Sequence, residues 1–174
     1  MSYLKVKGLA RTYGQGEGRV EALRGVSFEV QRGEFVAVMG PSGSGKSTLM
    51  HLLGGVERPT AGAIELEGVD LLALPEEKLT LFRRRQIGLV YQFYNLVPLL
   101  TVAENIALPL LLADEPTGNL DSENTRQVMA LLRGFHQSMG QTILMITHDR
   151  ELALQAQRIL TLEDGRIVRD EVNR

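Results

Sequence analysis

The sequence contains no cysteine among its 174 residues, which excludes disulfide bonds and zinc sites built on cysteine. It also lacks an apolar run long enough to cross a bilayer, because proline, glycine or charged residues interrupt each hydrophobic stretch. The first residues do not show the pattern of a signal peptide, in which a positively charged segment is followed by an apolar one. These absences lead us to expect a cytoplasmic protein that reaches a membrane only through a partner.

The chain has little excess of either charge, since its formal net charge is only −2. Such a balance excludes the overall basic field that draws proteins to nucleic acid, so no nucleic-acid partner is expected. Hydrophobic residues make up 44% of the chain and charged residues 23%, which suits a soluble protein with a buried core. The length predicts a single domain over residues 1–174.

Short apolar segments alternate with helical patterns through the middle of the chain. Strands are predicted at 4–9, 20–30, 34–39, 63–66, 87–90, 110–113 and 142–147. Helices are predicted at 47–53, 101–108 and 122–139, and segment 79–85 is predicted as the end of a helix. The helix at 122–139 has Val128, Leu131, Leu132, Phe135 and Met139 on one face. Segments 158–163 and 166–171 flank Asp164-Gly165, a strong hairpin signal. This order predicts an α/β fold with a mainly parallel sheet and an antiparallel portion.

A phosphate-binding pattern follows the apolar segment at 34–39. Its residues fit G-x-x-x-x-G-K-[ST] and are Gly40, Pro41, Ser42, Gly43, Ser44, Gly45, Lys46, Ser47 and Thr48. The glycines let the backbone wrap around phosphate oxygens, and the following helix adds its positive N-terminal end. We expect Lys46 to reach the β- and γ-phosphates of ATP, or of a close relative such as GTP. The Ser47 hydroxyl is expected to bind Mg²⁺.

Four further polar residues follow apolar strand segments, at the sheet edge where α/β proteins bind ligands. Asp114 is predicted to hold Mg²⁺, usually through water, and Glu115 to orient and deprotonate the attacking water. His148 is placed to contact a γ-phosphate. Gln92 can bind Mg²⁺ or the attacking water, and its neighbours alone leave that assignment open.

Taken together, these motifs resemble the nucleotide-binding subunits of ABC transporters. The resemblance includes the phosphate loop, Gln92 in Val-Tyr-Gln-Phe, the acids and following residues of 110–121, and His148. Finer features, at 82–84, 91–98 and 114–121, are similar to the subfamily that serves lipoprotein-release, macrolide-export and FtsX-like permeases.

The resemblance implies a P-loop NTPase with an ABC-type, RecA-like core that hydrolyses Mg·ATP to drive a membrane permease. It implies catalytic roles for Lys46, Gln92, Glu115 and His148, magnesium ligation by Ser47, Gln92 and Asp114, and stacking of Tyr13 on adenine. It places segment 93–98 beside the permease, at the cytoplasmic face of the inner or plasma membrane. It also implies a homodimer in which two subunits enclose ATP.

The family's helical subdomain and its LSGGQ-type signature are missing between about residues 101 and 113. In the family, the signature of one subunit contacts the γ-phosphate bound to the other. Groups acting in trans on a transferring phosphoryl can contribute about 10³-fold or more. We therefore expect ATP binding with weak or absent hydrolysis, and no ATP-bound dimer.

Three other functions remain as alternatives to an ATP-hydrolysing transporter subunit. The first is a minimal nucleotide-binding core that never hydrolyses ATP. A DNA-repair or chromosome ATPase predicts coiled-coil arms or a basic face, which the sequence does not show. A nucleotide kinase would leave His148 and residues 119–121 without a role.

Overall fold

A computed structural model describes residues 2–91 and 108–173 of the chain. Gln92, segment 93–98 and the predicted helix at 101–108, apart from Leu108, lie outside these described residues. The roles predicted for them therefore stay predictions.

The described residues form ten strands and four α-helices. The strands are β1 Ser2–Tyr13, β2 Val20–Gln31, β3 Phe35–Met39, β4 Ala61–Leu66, β5 Val69–Asp70, β6 Ile87–Tyr91, β7 Leu110–Asp114, β8 Thr142–Ile146, β9 Arg158–Glu163 and β10 Arg166–Val172. The helices are α1 Lys46–Leu53, α2 Glu76–Gln86, α3 Ser122–Met139 and α4 Arg150–Ala153. Every strand predicted from the sequence is confirmed, with β1 six residues and β4 two residues longer than expected. The short elements β5 and α4 were not predicted, since so few residues carry no readable period.

The strands form two sheets of different character. A six-stranded sheet has the order β10-β9-β3-β8-β7-β6, and all its neighbours run parallel except the β9–β10 hairpin. A four-stranded sheet has the order β2-β1-β4-β5 and is antiparallel. The predicted α/β class, with a mainly parallel sheet and an antiparallel portion, is confirmed.

Two hydrophobic clusters cover the faces of the six-stranded sheet. Alternate residues of β3 enter different clusters, Val36 and Val38 one of them and Phe35 and Ala37 the other. The strands β7 and β8 divide their side chains in the same way, as the two-residue period of a strand requires. Burial on both faces explains why the central strands are continuously apolar in sequence.

The helix α3 packs on the smaller cluster with a narrower face than the sequence predicted. Met129 and Leu132 are buried there, and Val128 and Phe135 pack against them. The prediction was wrong for Leu131 and Met139, which are 50% and 56% exposed. Leu131 lies at the margin of the buried stripe, and Met139 is the last residue of the helix. None of the described helices is both long and apolar enough to cross a membrane.

One arginine fastens the last hairpin to the sheet. Arg158 donates through Nε and Nη2 to the two carboxylate oxygens of Asp170, at 2.7 Å each. Its Nη1 donates to the Glu34 side chain at 3.2 Å. The hydrogen bond from Arg158 lowers the pKa of Asp170, although partial burial opposes the shift. The same bond raises the pKa of Arg158.

Replacing Asp170 with asparagine is expected to lower the free energy of unfolding at pH 7 by about 1 kcal/mol, a modest value because Asp170 is half exposed. An aspartate whose pKa is depressed by folding stabilises the protein above its unfolded pKa of about 4, and this stabilisation is lost as the pH falls through the folded pKa. The difference between variant and wild type should therefore shrink on acidification below pH 4. Urea denaturation at pH 7 and pH 3 measures it, with Glu171→Gln on the same strand as the control. A difference at pH 3 as large as that at pH 7 would contradict this account.

Candidate functional site

The carboxyl ends of three neighbouring strands meet at one edge of the six-stranded sheet. In the strand register Val38 of β3 and Asp114 of β7 both lie beside Ile146 of β8. The phosphate loop follows β3, Glu115 follows β7 and His148 lies two residues beyond β8. The prediction that these groups emerge at a common edge is confirmed.

A cleft of about 480 Å³ opens between these loops. Nine predicted site residues line it, namely Ser42, Gly43, Gly45, Lys46, Ser47, Thr48, Asp114, Glu115 and His148. Gly40 and Pro41 line an adjoining cleft of about 670 Å³, which also reaches Ser42 and His148. Ser44, in the middle of the loop, is buried, with 3% of its surface exposed. The structure thus brings most of the predicted residues together around one opening.

The start of β2 supplies the remaining wall, which the sequence did not predict. Val20, Glu21 and Ala22 line the cleft beside the phosphate loop. They belong to the antiparallel sheet, and no local motif marks them. The wall lies very close to the phosphate loop: a Cβ atom added to Gly45 would stand only 2.3 Å from the Ala22 carbonyl oxygen.

Two glycines allow the phosphate loop to pack directly on backbone. A Cβ at Gly40 would stand 2.0 Å from the carbonyl oxygen of Leu162 in β9. Gly45 adopts a φ of +102° and directly precedes α1, a conformation that residues with a Cβ rarely adopt. The loop is therefore a tight backbone cradle at a helix N-terminus, the arrangement that binds phosphate groups.

The only lysine of the loop lies folded over this cradle. Lys46 Nζ donates to the carbonyl oxygens of Gly40 and Pro41 at 2.8 Å each. An ammonium has three donors, so these bonds hold it over the loop and leave it able to contact an anion. The buried hydroxyl of Ser44 has no hydrogen-bond partner among the described residues. The loop therefore fits a phosphate ligand.

A carboxylate and an imidazole are in direct contact across the cleft. Glu115 Oε1 lies 2.9 Å from His148 Nδ1, and because an ionised carboxylate only accepts hydrogen bonds, Nδ1 is the donor. Glu115 has a φ of +47°, uncommon for a residue other than glycine, and its amide donates to Ile146 O at 3.0 Å. Its side chain is 18% exposed and that of His148 is 74% exposed. The sequence predicted both residues at the site but not their contact.

Ser47 and Asp114 suit a magnesium ion that also binds phosphate oxygens of a nucleotide. Both residues line the cleft. Within residues 2–91 and 108–173, no group of three or more histidine or acidic side chains is placed to hold a metal. Mg²⁺ commonly takes only one or two protein oxygens and completes its shell with water and substrate phosphates. These two side chains therefore fit Mg²⁺ only in company with phosphate oxygens.

Tyr13, predicted to stack on adenine, ends β1 beside this cleft. It pairs with Val20 across the β1–β2 ladder, and Val20 lines the cleft. Its hydroxyl donates to Glu57 Oε2 at 2.7 Å, and the guanidinium carbon of Arg11 lies 4.6 Å from the centre of its ring. The stacking role stays a prediction.

Comparison with known proteins agrees with this site. A family model described as ABC transporter matches residues 23–163. An uncharacterized ABC transporter ATP-binding protein from Thermotoga maritima is 36% identical, over 90% of this chain and 90% of its own. The macrolide export ATP-binding/permease protein MacB from Aggregatibacter actinomycetemcomitans is 34% identical over 100% of this chain. That match covers 35% of the MacB protein, so this chain spans about a third of the length of that relative.

Solved structures agree with these sequence matches. A dimeric, post-hydrolysis structure of the ATP-binding cassette MJ0796, bound to ADP and Pi, has a TM-score of 0.89 and 30% identity. The superposition covers 98% of this chain and 99% of that chain. The protein of that name comes from Methanocaldococcus jannaschii and is 32% identical in sequence.

Proposed function

Since the chain belongs to the ABC transporter family, as an ATP-binding subunit of the macrolide-export and MJ0796 type, we propose that it holds Mg·ATP in the cleft beside the phosphate loop. Membership makes it an ABC-type ATPase with a P-loop NTPase fold. One observation carries the proposal: Lys46 and the contact between Glu115 and His148 face the same cleft.

Each group of the cleft has a distinct task in this proposal. Lys46 and the backbone of the phosphate loop bind the β- and γ-phosphates, while Ser47 and Asp114 hold Mg²⁺. Bound Mg²⁺ neutralises the charge that develops on the phosphate oxygens. Glu115 accepts the proton of the attacking water, and His148 contacts the γ-phosphate.

Gln92 is proposed to complete the site as a ligand of Mg²⁺ or of the attacking water. It directly follows Tyr91, which pairs with Asp114 in the β6–β7 register. The support for its role is therefore its place in the sequence, directly after a strand whose last residue lies beside Asp114.

We propose that hydrolysis by this chain is impaired because no signature motif is present to contact the γ-phosphate. The chain has only residues 92–109 between the neighbouring parallel strands β6 and β7. A crossover between parallel strands itself needs a dozen or more residues, which leaves no room for a helical subdomain. The alignment with MacB is 228 residues long, so that relative carries residues that this 174-residue chain lacks.

The same observation favours the second candidate, a nucleotide-binding core that binds ATP without turnover. In either case we propose a membrane permease as partner, at the cytoplasmic face of the membrane. The support is the name of MacB, which joins an ATP-binding and a permease function. A homodimer that encloses ATP is not expected, because neither copy can offer a signature.

Calorimetric titration with Mg·ATP and a phosphate-release assay on the wild-type chain test this proposal together. We expect micromolar binding with turnover well below the roughly 1 s⁻¹ or more that enzymes typically reach. Failure to bind Mg·ATP would exclude the proposed site. Turnover at several molecules per second would instead refute the impaired hydrolysis.

A further inference from the structure

Glu57 lies at the point where α1 ends and is in contact with three side chains. The amides of Val56 and Glu57 both donate to the His51 carbonyl, at 2.8 and 3.3 Å. The Oε1 atom of Glu57 lies 3.4 Å from His51 Nδ1. Its Oε2 accepts from the Tyr13 hydroxyl at 2.7 Å and lies 3.4 Å from Arg11 Nη2. Both carboxylate oxygens are thus engaged, and the backbone holds the carboxylate in place.

Arg11 fixes a second part of the Tyr13 ring. The two residues are two apart on β1 and are in direct contact. The guanidinium carbon lies 4.6 Å from the ring centre, within the range of a cation–π contact. Arg11 Nη1 also donates to the Arg58 carbonyl at 2.8 Å. The ring is therefore held at its hydroxyl by Glu57 and on one face by Arg11.

The fixed ring stands beside the wall that β2 contributes to the cleft. Tyr13 pairs with Val20, which lines the cleft together with the phosphate loop. The helix α1 begins with Lys46 at the phosphate loop and ends beside Glu57. The amide of Thr60 donates to Ala10 O at 2.8 Å, which ties the end of β1 to the segment after α1. The aromatic ring is thus built into the same rigid unit as the phosphate loop.

We propose that Glu57 and Arg11 are positioning residues that hold the Tyr13 ring for contact with the base of the bound nucleotide. The inference rests on the proposed binding of ATP in this cleft and extends it to recognition of the base. A ring that is fixed before binding loses less conformational entropy when a base stacks on it. Because Arg11 covers one face of the ring, the base is proposed to stack on the opposite face. Glu57 and Arg11 should therefore affect affinity for the base and leave affinity for the phosphates unchanged.

The other end of β1 carries a matched arrangement that serves as a control. The Arg32 guanidinium carbon lies 4.4 Å from the Tyr3 ring centre, and Arg32 forms an ion pair with Glu67. Tyr3 is separated from Tyr13 by most of the strand, a distance of about 33 Å at the usual rise. Glu67 thus pairs with an arginine that lies over a tyrosine ring, as Glu57 does, but it does not bind the tyrosine hydroxyl and it lies far from the cleft.

The test compares Mg·ATP with Mg·tripolyphosphate, which offers the same phosphates without a base. For Glu57→Ala we expect calorimetry to show affinity for ATP about fivefold weaker, a part of what a whole stacking contact contributes. Affinity for tripolyphosphate should not change. Glu57→Gln keeps an acceptor for the Tyr13 hydroxyl and should retain most of the affinity for ATP. Glu67→Ala should bind both ligands as the wild type does.

Arg11→Met provides a second variant in case Glu57→Ala fails to fold, as judged by circular dichroism. Arg11→Met removes the positive charge and keeps a long side chain. We expect its affinity for ATP to be about threefold weaker and its affinity for tripolyphosphate to be unchanged. Equal weakening of both ligands, or no change in either, would overturn the inference and leave the nucleotide site intact. If the wild type bound neither ATP nor tripolyphosphate, the proposed function would fail, and the inference with it.

Discussion

Replacing Lys46 with alanine is expected to weaken binding of Mg·ATP by about 100-fold or more, the effect of losing charge-assisted hydrogen bonds worth close to 3 kcal/mol. The ammonium lies over the phosphate loop, where its present partners are the carbonyls of Gly40 and Pro41. Removal of the side chain costs little in folding, because those carbonyls stay accessible to water. Calorimetric titration of variant and wild type measures the loss.

Two further lysine variants sharpen this result. Lys46→Arg should not restore wild-type affinity, because a planar guanidinium cannot reproduce the compact ammonium within the loop. Lys78→Ala removes an exposed lysine of α2 and should leave binding unchanged. Retention of ATP affinity within about threefold in Lys46→Ala would show that the loop does not bind the phosphates, since even one lost charged hydrogen bond exceeds that.

Replacing Glu115 with glutamine is expected to lower ATP turnover by about 100-fold or more, the range for loss of a general base. Glutamine has nearly the same shape and retains an oxygen that can accept from His148 Nδ1, now 2.9 Å from the carboxylate. Binding of ATP should therefore persist while proton abstraction is lost. Because the wild-type rate is itself expected to be low, phosphate release is best measured with protein in excess over ATP.

The same variant tests the expected absence of an ATP-bound dimer. Size-exclusion chromatography of Glu115→Gln should show one species, unchanged by ATP. An ATP-dependent dimer would disprove the expectation that loss of the signature prevents pairing.

Glu123→Gln, in the first turn of α3, is the control for turnover. If the wild type hydrolyses ATP at a measurable rate, an equal rate in Glu115→Gln would show that Glu115 is not the base.

The sequence by itself predicted which local motifs form the candidate site. The loop Gly40–Thr48 and the acids Asp114 and Glu115 were predictable because each motif is local and directly follows an apolar strand. The α/β class was predictable for a similar reason, since hydrophobic period and turn residues act over a few neighbours. The hairpin at Asp164-Gly165 is of this kind and was confirmed.

The tertiary structure alone decided the individual contacts between these local elements. The contact of Glu115 with His148, the wall that β2 gives the cleft, and the cluster of Arg11, Tyr13 and Glu57 join residues far apart in sequence. Even the glycines of the phosphate loop owe part of their necessity to the distant carbonyls of Ala22 and Leu162. Such contacts follow from strand order and packing, which no local pattern encodes, because the free energy of burial depends on the whole assembled core.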